Sequence, residues 1–434
     1  MNDDIESAVY NLSIASTAAS TYLSSHTPTP SETIDISSLY TNYATSLSLL
    51  PNLSSALIFY EKSLSLNPTS LDTQYYLALT YQDLSKFSLA ISGYLKIIKL
   101  DPLHWESLSN LSSLHYDLKH YEKAILSYES SIDLFLTTTP PTNPPGDVKG
   151  VLSDLYYRYG LSIIYFNDDF KDGECIRENQ KVNCDDLARY AFSRSLDLRF
   201  NVESEHYLNT LTEGVEIEKV GNEYVKKLFD DYALNFEESL KDDLGYKGFK
   251  IMREFFEEIV VGGGGKDVVD LGCGTGLVGE EFKGISKSLA CIDLSLKIIE
   301  RCKELRPKLY DEYIQGDFLE GLIEGDVYVA GDSFIYFGDL KPLFKRMFEK
   351  LREEGYVVFT LERGGGKTWK LTRSGRFEHA ESYVLQSLEE VGFEVLGYKR
   401  MDGFRIERGK DVKGNVYVAR KAKTKSSKGR RGEF

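Results

Sequence analysis

Little in this 434-residue chain would staple it together or carry it through a membrane. Five cysteines, an odd number, do not make a disulfide framework. Cys175 and Cys184, with eight residues between them in a polar stretch, lack the second pair that a zinc site would need. A reducing compartment fits this usage, and a cytoplasmic location is expected. No apolar run approaches the roughly eighteen residues of a spanning helix. The opening MNDDIESAVY is acidic, unlike the basic start of a secretory signal or an Arg-rich transit peptide. Positive charge is also in deficit, since 52 Lys and Arg face 67 Asp and Glu for a formal net charge of −15. Broad nucleic-acid binding, which needs a positive footprint, is thereby disfavoured. Residues 421–434 are the exception, a basic Ser/Gly-rich tail that reads as a solvated end, with nuclear targeting or an RNA contact as the sharper alternative.

What is present is globular: 42% hydrophobic and 27% charged residues, in a chain too long for one core. The first half repeats. Ala56, Ala90 and Ala124 lie 34 residues apart, as do Tyr60, Tyr94 and Tyr128, and Pro68 and Pro102 keep the same step. Each unit thus has a small residue where two helices cross, an aromatic one turn later, and a proline that stops the second helix. A Pro-rich stretch, TTTPPTNPPGD (137–147), interrupts the array. A fourth, broken unit then places Tyr159 and Gly160 in its first helix and Ala188, Phe192 and Ser195 in its second. FNDDFKDGECIRENQKVN, between them, predicts a surface loop. Units of this spacing resemble the tetratricopeptide repeat. The resemblance implies a helical solenoid whose concave face binds a protein partner, or which serves self-association or bracing of the other half.

From Asn222 the texture changes to short apolar runs alternating with amphipathic stretches. DVVDLG (267–272), SLACIDLS (288–295), DVYVAGD (326–332), YVVFTLE (356–362) and NVYVARK (415–421) read as strands, which predicts a mainly parallel sheet with ligand at its carboxyl edge. DLGCGTGLVGEEF runs from Asp270 through Gly272, Cys273, Gly274 and Gly276 into a helix. Such glycines let a ligand approach the backbone closely. Leu277 breaks the G-x-G-x-x-G dinucleotide fingerprint and disfavours a nicotinamide oxidoreductase. Asp293, ending the next strand 21 residues after Gly272, suits the two hydroxyls of a ribose, with Leu294 beside it. Asp317 in QGDF suits an adenine amino group, with Phe318 next in line. GGGKT (364–368) imitates a phosphate loop, but Leu361 stands where the Walker pattern needs glycine.

This ordered set resembles the class I S-adenosylmethionine-dependent methyltransferases. DLGCGTG looks like their first motif, CIDLS like their ribose acid, QGDF like their adenine contact and DVYVAGDSFIYFGDL like their fourth-strand segment. The likeness extends, through HYLNTLTEG, YVKKLFDDYALNFEESLKDDLGYK, LTRSGRFEHAESYV and RIERGKDVKGNVYVAR, to a bacterial group of predicted methyltransferases that themselves carry tetratricopeptide repeats. It implies a multidomain α + α/β chain: an extension (1–36), a repeat solenoid (37–212) with irregular insertions at 137–150 and 166–184, a Rossmann-like seven-stranded domain (222–420) and the tail. It also implies S-adenosyl-L-methionine as cofactor and an acceptor it does not define. The alternative is a scaffold whose methyltransferase fold binds cofactor without turnover.

Further expectations attach to single residues. Tyr232 and Phe236, in the helix before the first strand, are placed to fold over the cofactor, with plain packing as the competing role. Asp332 and Tyr336 follow the fourth strand on the side where the methyl should lie, Asp332 as a cofactor contact and Tyr336 as an orienting group. His379 is matched to neutral pH as a base, and Arg376 and Tyr383 beside it would grip an anionic acceptor, an ordinary packing histidine being the competing role.

Overall fold

The 34-residue spacing turns into helix crossings. In the computed structural model, Ala56, Ala90 and Ala124 are fully buried, and so are Tyr60, Tyr94 and Tyr128 one turn on. A larger side chain at the alanines would force neighbouring helices apart. The helices are α1 (Asn2–Ser25), α2 (Pro30–Ser48), α3 (Leu53–Leu66), α4 (Leu71–Asp83), α5 (Phe87–Leu100), α6 (Trp105–Asp117), α7 (Tyr121–Thr137), α8 (Val148–Phe170), α9 (Cys184–Leu198) and α10 (Val202–Leu211), and α1 to α9 each pack on the next. Local chemistry starts several of them. Thr29 and Glu32 form a capping box at α2, with Pro30 as its first residue, and Ser70 and Asn183 cap α4 and α9. The HTPTP breaker ends α1, which is held to α2 where the hydroxyls of Ser20 and Tyr40 lie 2.9 Å apart. In the fourth helix pair a Cβ on Gly160 would lie 2.8 Å from the Phe192 ring, which is the close crossing its sequence position implies.

The structure describes residues 2–50, 52–137, 148–170, 173–177, 180–212, 217–238, 240, 245–260, 264–407 and 410–422. Most of the Pro-rich insertion (138–147), part of the GGGG run and nearly all of the basic tail lie outside these. Two expectations are corrected here. The insertion after α8 is not simply a loop: β1 (Glu174–Arg177) and β2 (Gln180–Asn183) form an antiparallel hairpin. By turning the chain back it brings Cys175 and Cys184 to a Cα separation of 5.0 Å, and they are disulfide-paired. Cys273 and Cys291 are paired as well, Cα to Cα 5.6 Å, because the chain bends after one parallel strand alongside its neighbour. The expectation that the five cysteines make no disulfide framework is therefore corrected: two pairs form, and among the described residues only Cys302 is free, and it is buried.

The chain divides into two units, Met1–Ser204 and Glu205–Phe434. The division falls earlier than the 212/222 boundaries expected from texture. The cause is visible at His206, which stacks on Tyr224 at 3.9 Å between ring centroids and meets the Gly375 carbonyl at 3.0 Å, so the end of α10 packs with the second unit.

In that unit α11 (Asn222–Tyr232), α12 (Phe236–Glu238) and α13 (Gly248–Ile259) precede the sheet. The remaining elements are β3 (Lys266–Leu271), α14 (Leu277–Phe282), β4 (Ser286–Asp293), α15 (Leu296–Leu305), β5 (Glu312–Gln315), α16 (Phe318–Gly321), β6 (Gly325–Ala330), α17 (Lys341–Lys350), β7 (Leu351–Gly364), β8 (Trp369–Leu371), β9 (Phe377–Ala380), α18 (Glu381–Val391), β10 (Phe393–Glu407) and β11 (Lys410–Lys421). The sheet runs β10-β11-β7-β6-β3-β4-β5, with β8 and β9 paired beside the far end of β7. Strands β3 to β7 are parallel and β10–β11 is an antiparallel hairpin at the edge. The expected seven-stranded Rossmann-like core is present, and β10, unremarked in the sequence, supplies its outer strand. Val268, Val327, Val329 and Val358 fill the interior with Met252 and Phe256 of α13. The sheet order reverses direction between β3 and β6, which is where such folds bind ligands.

Candidate functional site

At this switch point β3 gives way to a glycine bend. Gly272 (φ 71°) and Gly276 (φ 93°) adopt left-handed backbone that a side chain disfavours. Space forbids one too: a Cβ on Gly272 would lie 2.6 Å from that of Ser333, and one on Gly276 2.9 Å from the Cys302 sulfur. The bend therefore lies flat against the start of the segment after β6, which Ser333 also ties by donating to the Leu271 carbonyl at 2.7 Å.

Asp293, at the end of β4, is brought to the same bend. It accepts from the Gly274 amide at 3.0 Å and the Ser295 amide at 2.9 Å. Burial pushes its carboxyl up to about 6, against those amides, which favour the charged form. A carboxylate offers about four acceptor sites, so two remain for a diol. Asp270 is placed otherwise than expected. It is fully buried under the bend, accepts from the Tyr310 hydroxyl at 2.6 Å, and leaves its Oδ1 without a hydrogen-bond partner. Burial raises it to about 7. From there it supports the loop through Tyr310. Cys273 is likewise buried beneath the bend, and Leu294 is half-buried beside Asp293 with its carbonyl 3.5 Å from the Gln315 amide.

Asp317 caps α16 by accepting from the Leu319 amide, while its other oxygen takes Lys219 at 2.6 Å and Asn222 at 2.9 Å. Burial would raise its carboxyl, but these donors outweigh it and hold the group below the usual carboxylate range. Phe318 packs at a tilt against Phe334 and Phe337, ring centroids 5.9 and 5.4 Å apart. Lys219 and Asn222 belong to a strap over the carboxyl edge of the sheet. Within it Val220 donates to the Tyr336 carbonyl, and Glu218 accepts from the amides of Gly338 and Asp339. Further along, Asp230 accepts from Ser295, Phe229 packs on Phe236 and Tyr336 (5.7 and 5.9 Å), and Glu237 binds Arg306. A Cβ on Gly274 would come within 3.2 Å of the Phe236 ring. An arc from Gly274 through Phe236 and Phe229 to Tyr336 thus roofs the bend. Tyr232, expected to cover the cofactor, is 48% exposed, and Phe229, three residues earlier on the helix, holds the inward position.

On the acceptor side Asp332 follows β6 with φ 57°, its amide donating to Thr360 at 2.8 Å. Its carboxylate is gripped by Nη1 of Arg405 at 2.7 and 2.6 Å, and Arg405 is wholly buried, its Nη2 on Glu362. Arg376 reaches Glu407 at 2.5 Å and Glu362 at 3.2 Å. The expected grip of Arg376 on an anionic acceptor is therefore already taken by these two carboxylates. Tyr336 is buried, and burial lifts its phenol to about 12 despite Arg376, so it stays protonated and orients rather than abstracts.

His379 and Tyr383 do not join Arg376. His379 is 1% exposed, its Nε2 3.1 Å from the Gly338 carbonyl. Burial lowers it to about 4, leaving it neutral. Tyr383 donates to Asp339 at 2.7 Å and accepts from the Leu340 amide. Both brace the 337–340 turn, and a proton-transfer role for His379 conflicts with that closure. GGGKT is the turn between β7 and β8. Among the described residues no metal-ligand cluster occurs, and no helix is long and apolar enough to cross a membrane.

Comparison with known proteins agrees with this geometry. A family model described as a methyltransferase domain matches residues 269–359, from β3 through β7, and one described as a tetratricopeptide repeat matches residues 106–136. The chain thus carries a methyltransferase domain behind tetratricopeptide-type helices. No curated protein matches it. Similar solved structures include an S-adenosylmethionine-dependent methyltransferase from Mesorhizobium loti (19% identity, 38% of this chain and 96% of that one, TM-score 0.32). They also include the N-methyltransferase NodS from Bradyrhizobium japonicum bound to S-adenosyl-L-homocysteine (16%, 46% and 98%, TM-score 0.37). A third is magnesium protoporphyrin IX methyltransferase from Synechocystis with S-adenosylmethionine (12%, 49% and 100%, TM-score 0.37).

Proposed function

We propose that the second unit transfers a methyl group from S-adenosyl-L-methionine to an acceptor. The observation that carries this is the meeting of the glycine bend with Asp293: a cradle too tight for side chains beside a carboxylate with free acceptor capacity. Ionised at neutral pH, Asp293 would hold the ribose hydroxyls, each charged hydrogen bond contributing about 1.5–3 kcal/mol. Asp317 and Phe318 would flank the adenine, with Lys219 and Asn222 fixing Asp317 in place. The cofactor supplies an already activated sulfonium methyl. The chain's task is then orientation, which can account for roughly 7–11 kcal/mol of a barrier. The Phe236–Phe229–Tyr336 arc excludes water, and Arg405 holds Asp332 in one position. The helical array would bind a protein partner or a second copy. Its exposed Leu89, Leu95, Leu100, Leu103 and Leu126 support that use, since large apolar side chains otherwise sit inside.

The test is cofactor affinity by titration calorimetry. Asp293→Ala should weaken S-adenosylmethionine binding tenfold or more with the fold retained. Wild-type affinity in that variant refutes the assignment, and absence of methyl transfer to any cell-extract component leaves only a cofactor-binding scaffold.

A further inference from the structure

Phe236, whose ring comes within 3.2 Å of a Cβ built on Gly274, covers the cradle, yet α12, which it begins, is three residues long. So short a helix does not hold itself in place, because it gains too few hydrogen bonds for the dihedrals it fixes. Arg306, the residue after α15 and 69 positions from Glu237, fastens it. Its two terminal nitrogens hold both oxygens of Glu237 at 2.7 and 3.0 Å, a bidentate fork of the stronger charged kind. The same guanidinium reaches Glu280, in the first turn of α14, at 2.8 Å, and the Thr275 carbonyl within the bend at 3.1 Å. Its stem lies so close to the bend that a Cβ on Gly276 would come 3.3 Å from its Cδ. Arg306 and Glu237 are largely shielded from water, their side chains 11% and 20% exposed, whereas Glu280 is 58% exposed. One side chain therefore clamps the roof to the bend that the roof covers.

We propose that the Glu237–Arg306 pair is the catch that keeps Phe236 over the cradle, and that it opens each time S-adenosyl-L-methionine enters or S-adenosyl-L-homocysteine leaves. The inference rests on the methyltransferase reading, since it takes the cofactor to lie between the bend and the ring. Arg306 sits at the back of the bend, against Thr275 and Gly276, and acts on the cofactor through Phe236. It is a positioning residue. The pair joins one part of the chain to another, so it stabilises the closed roof alike before and after the cofactor binds. The fraction of time the roof stands open then scales entry and exit together. Loss of a direct cofactor contact behaves differently, because it speeds exit and leaves entry nearly unchanged. Glu237 is the partner to change, since Arg306 keeps Glu280 and the Thr275 carbonyl and no charge is stranded.

The full chain is mixed with tritiated S-adenosyl-L-homocysteine to time its entry, and the loaded chain is chased with unlabelled ligand to time its release. Glu237→Gln puts a neutral amide where the charged fork was and should raise both rates about tenfold, with the dissociation constant kept within about threefold. Arg306→Lys, a point charge that cannot fork onto both oxygens of Glu237, is the second variant should the first melt early, and it should raise both rates in the same way. Faster release with unchanged entry overturns the inference, because the pair would then act as an ordinary binding contact. Unchanged rates in a folded variant overturn it as well. Failure of the wild-type chain to bind the labelled ligand at all is a different result and removes the methyltransferase reading beneath it.

Discussion

Asp270 gives the sharpest test of how the cradle is built. Its side chain is fully buried, one oxygen is held by Tyr310 and the other has no partner. Burial sets its carboxyl at about 7. Against an ordinary aspartate at about 3.9, that is a factor of about a thousand in proton affinity, or about 4 kcal/mol. The sign follows directly. The folded chain binds the proton more tightly than the unfolded one, so this contribution to stability is fully present below about pH 4 and is lost as pH rises through about 7. Asp270→Asn keeps an acceptor for Tyr310 and removes the buried charge. At pH 8 it should stabilise the second unit by about 2 kcal/mol after allowance for the altered hydrogen bonding, which is about 4–8 °C in a domain of this size. At pH 5, where wild-type Asp270 is protonated, the gain should vanish. Differential scanning calorimetry at both pH values measures this, using the transition that rises with added S-adenosylmethionine. Parallel melting curves for variant and wild type across that interval would refute the buried, under-bonded placement of Asp270.

Other substitutions probe the remaining parts. Gly272→Ala places a methyl 2.6 Å from Ser333 in left-handed backbone and should abolish measurable cofactor binding in a calorimetric titration. His379→Gln can still donate to the Gly338 carbonyl, so turnover should stay within a few-fold and its pH profile should not move; a general base would show a loss of about 10²–10⁴. In the array, Tyr94→Ala empties a fully buried aromatic site and should cost about 3–5 kcal/mol in chemical denaturation, without changing cofactor affinity.

Local order along the chain determined the architecture. The alanines and tyrosines at period 34 encode helix crossings because each repeat packs only on its neighbours. The G-x-G-x-G bend and Asp293 are legible because a strand, a turn and the tip of the next parallel strand are close by connectivity alone. What the sequence could not state is which partner a side chain finds. The Arg405 grip on Asp332 spans 73 residues and exists only because β10 folds back along β11 onto the parallel sheet. The choice of Phe229 over Tyr232 depends on which face of α11 meets Tyr336, and both cysteine pairs depend on a hairpin and on strand alignment. His379 looked suited to neutral pH by residue type, and burial against the 337–340 turn decided its role, since desolvation acts through the surrounding fold.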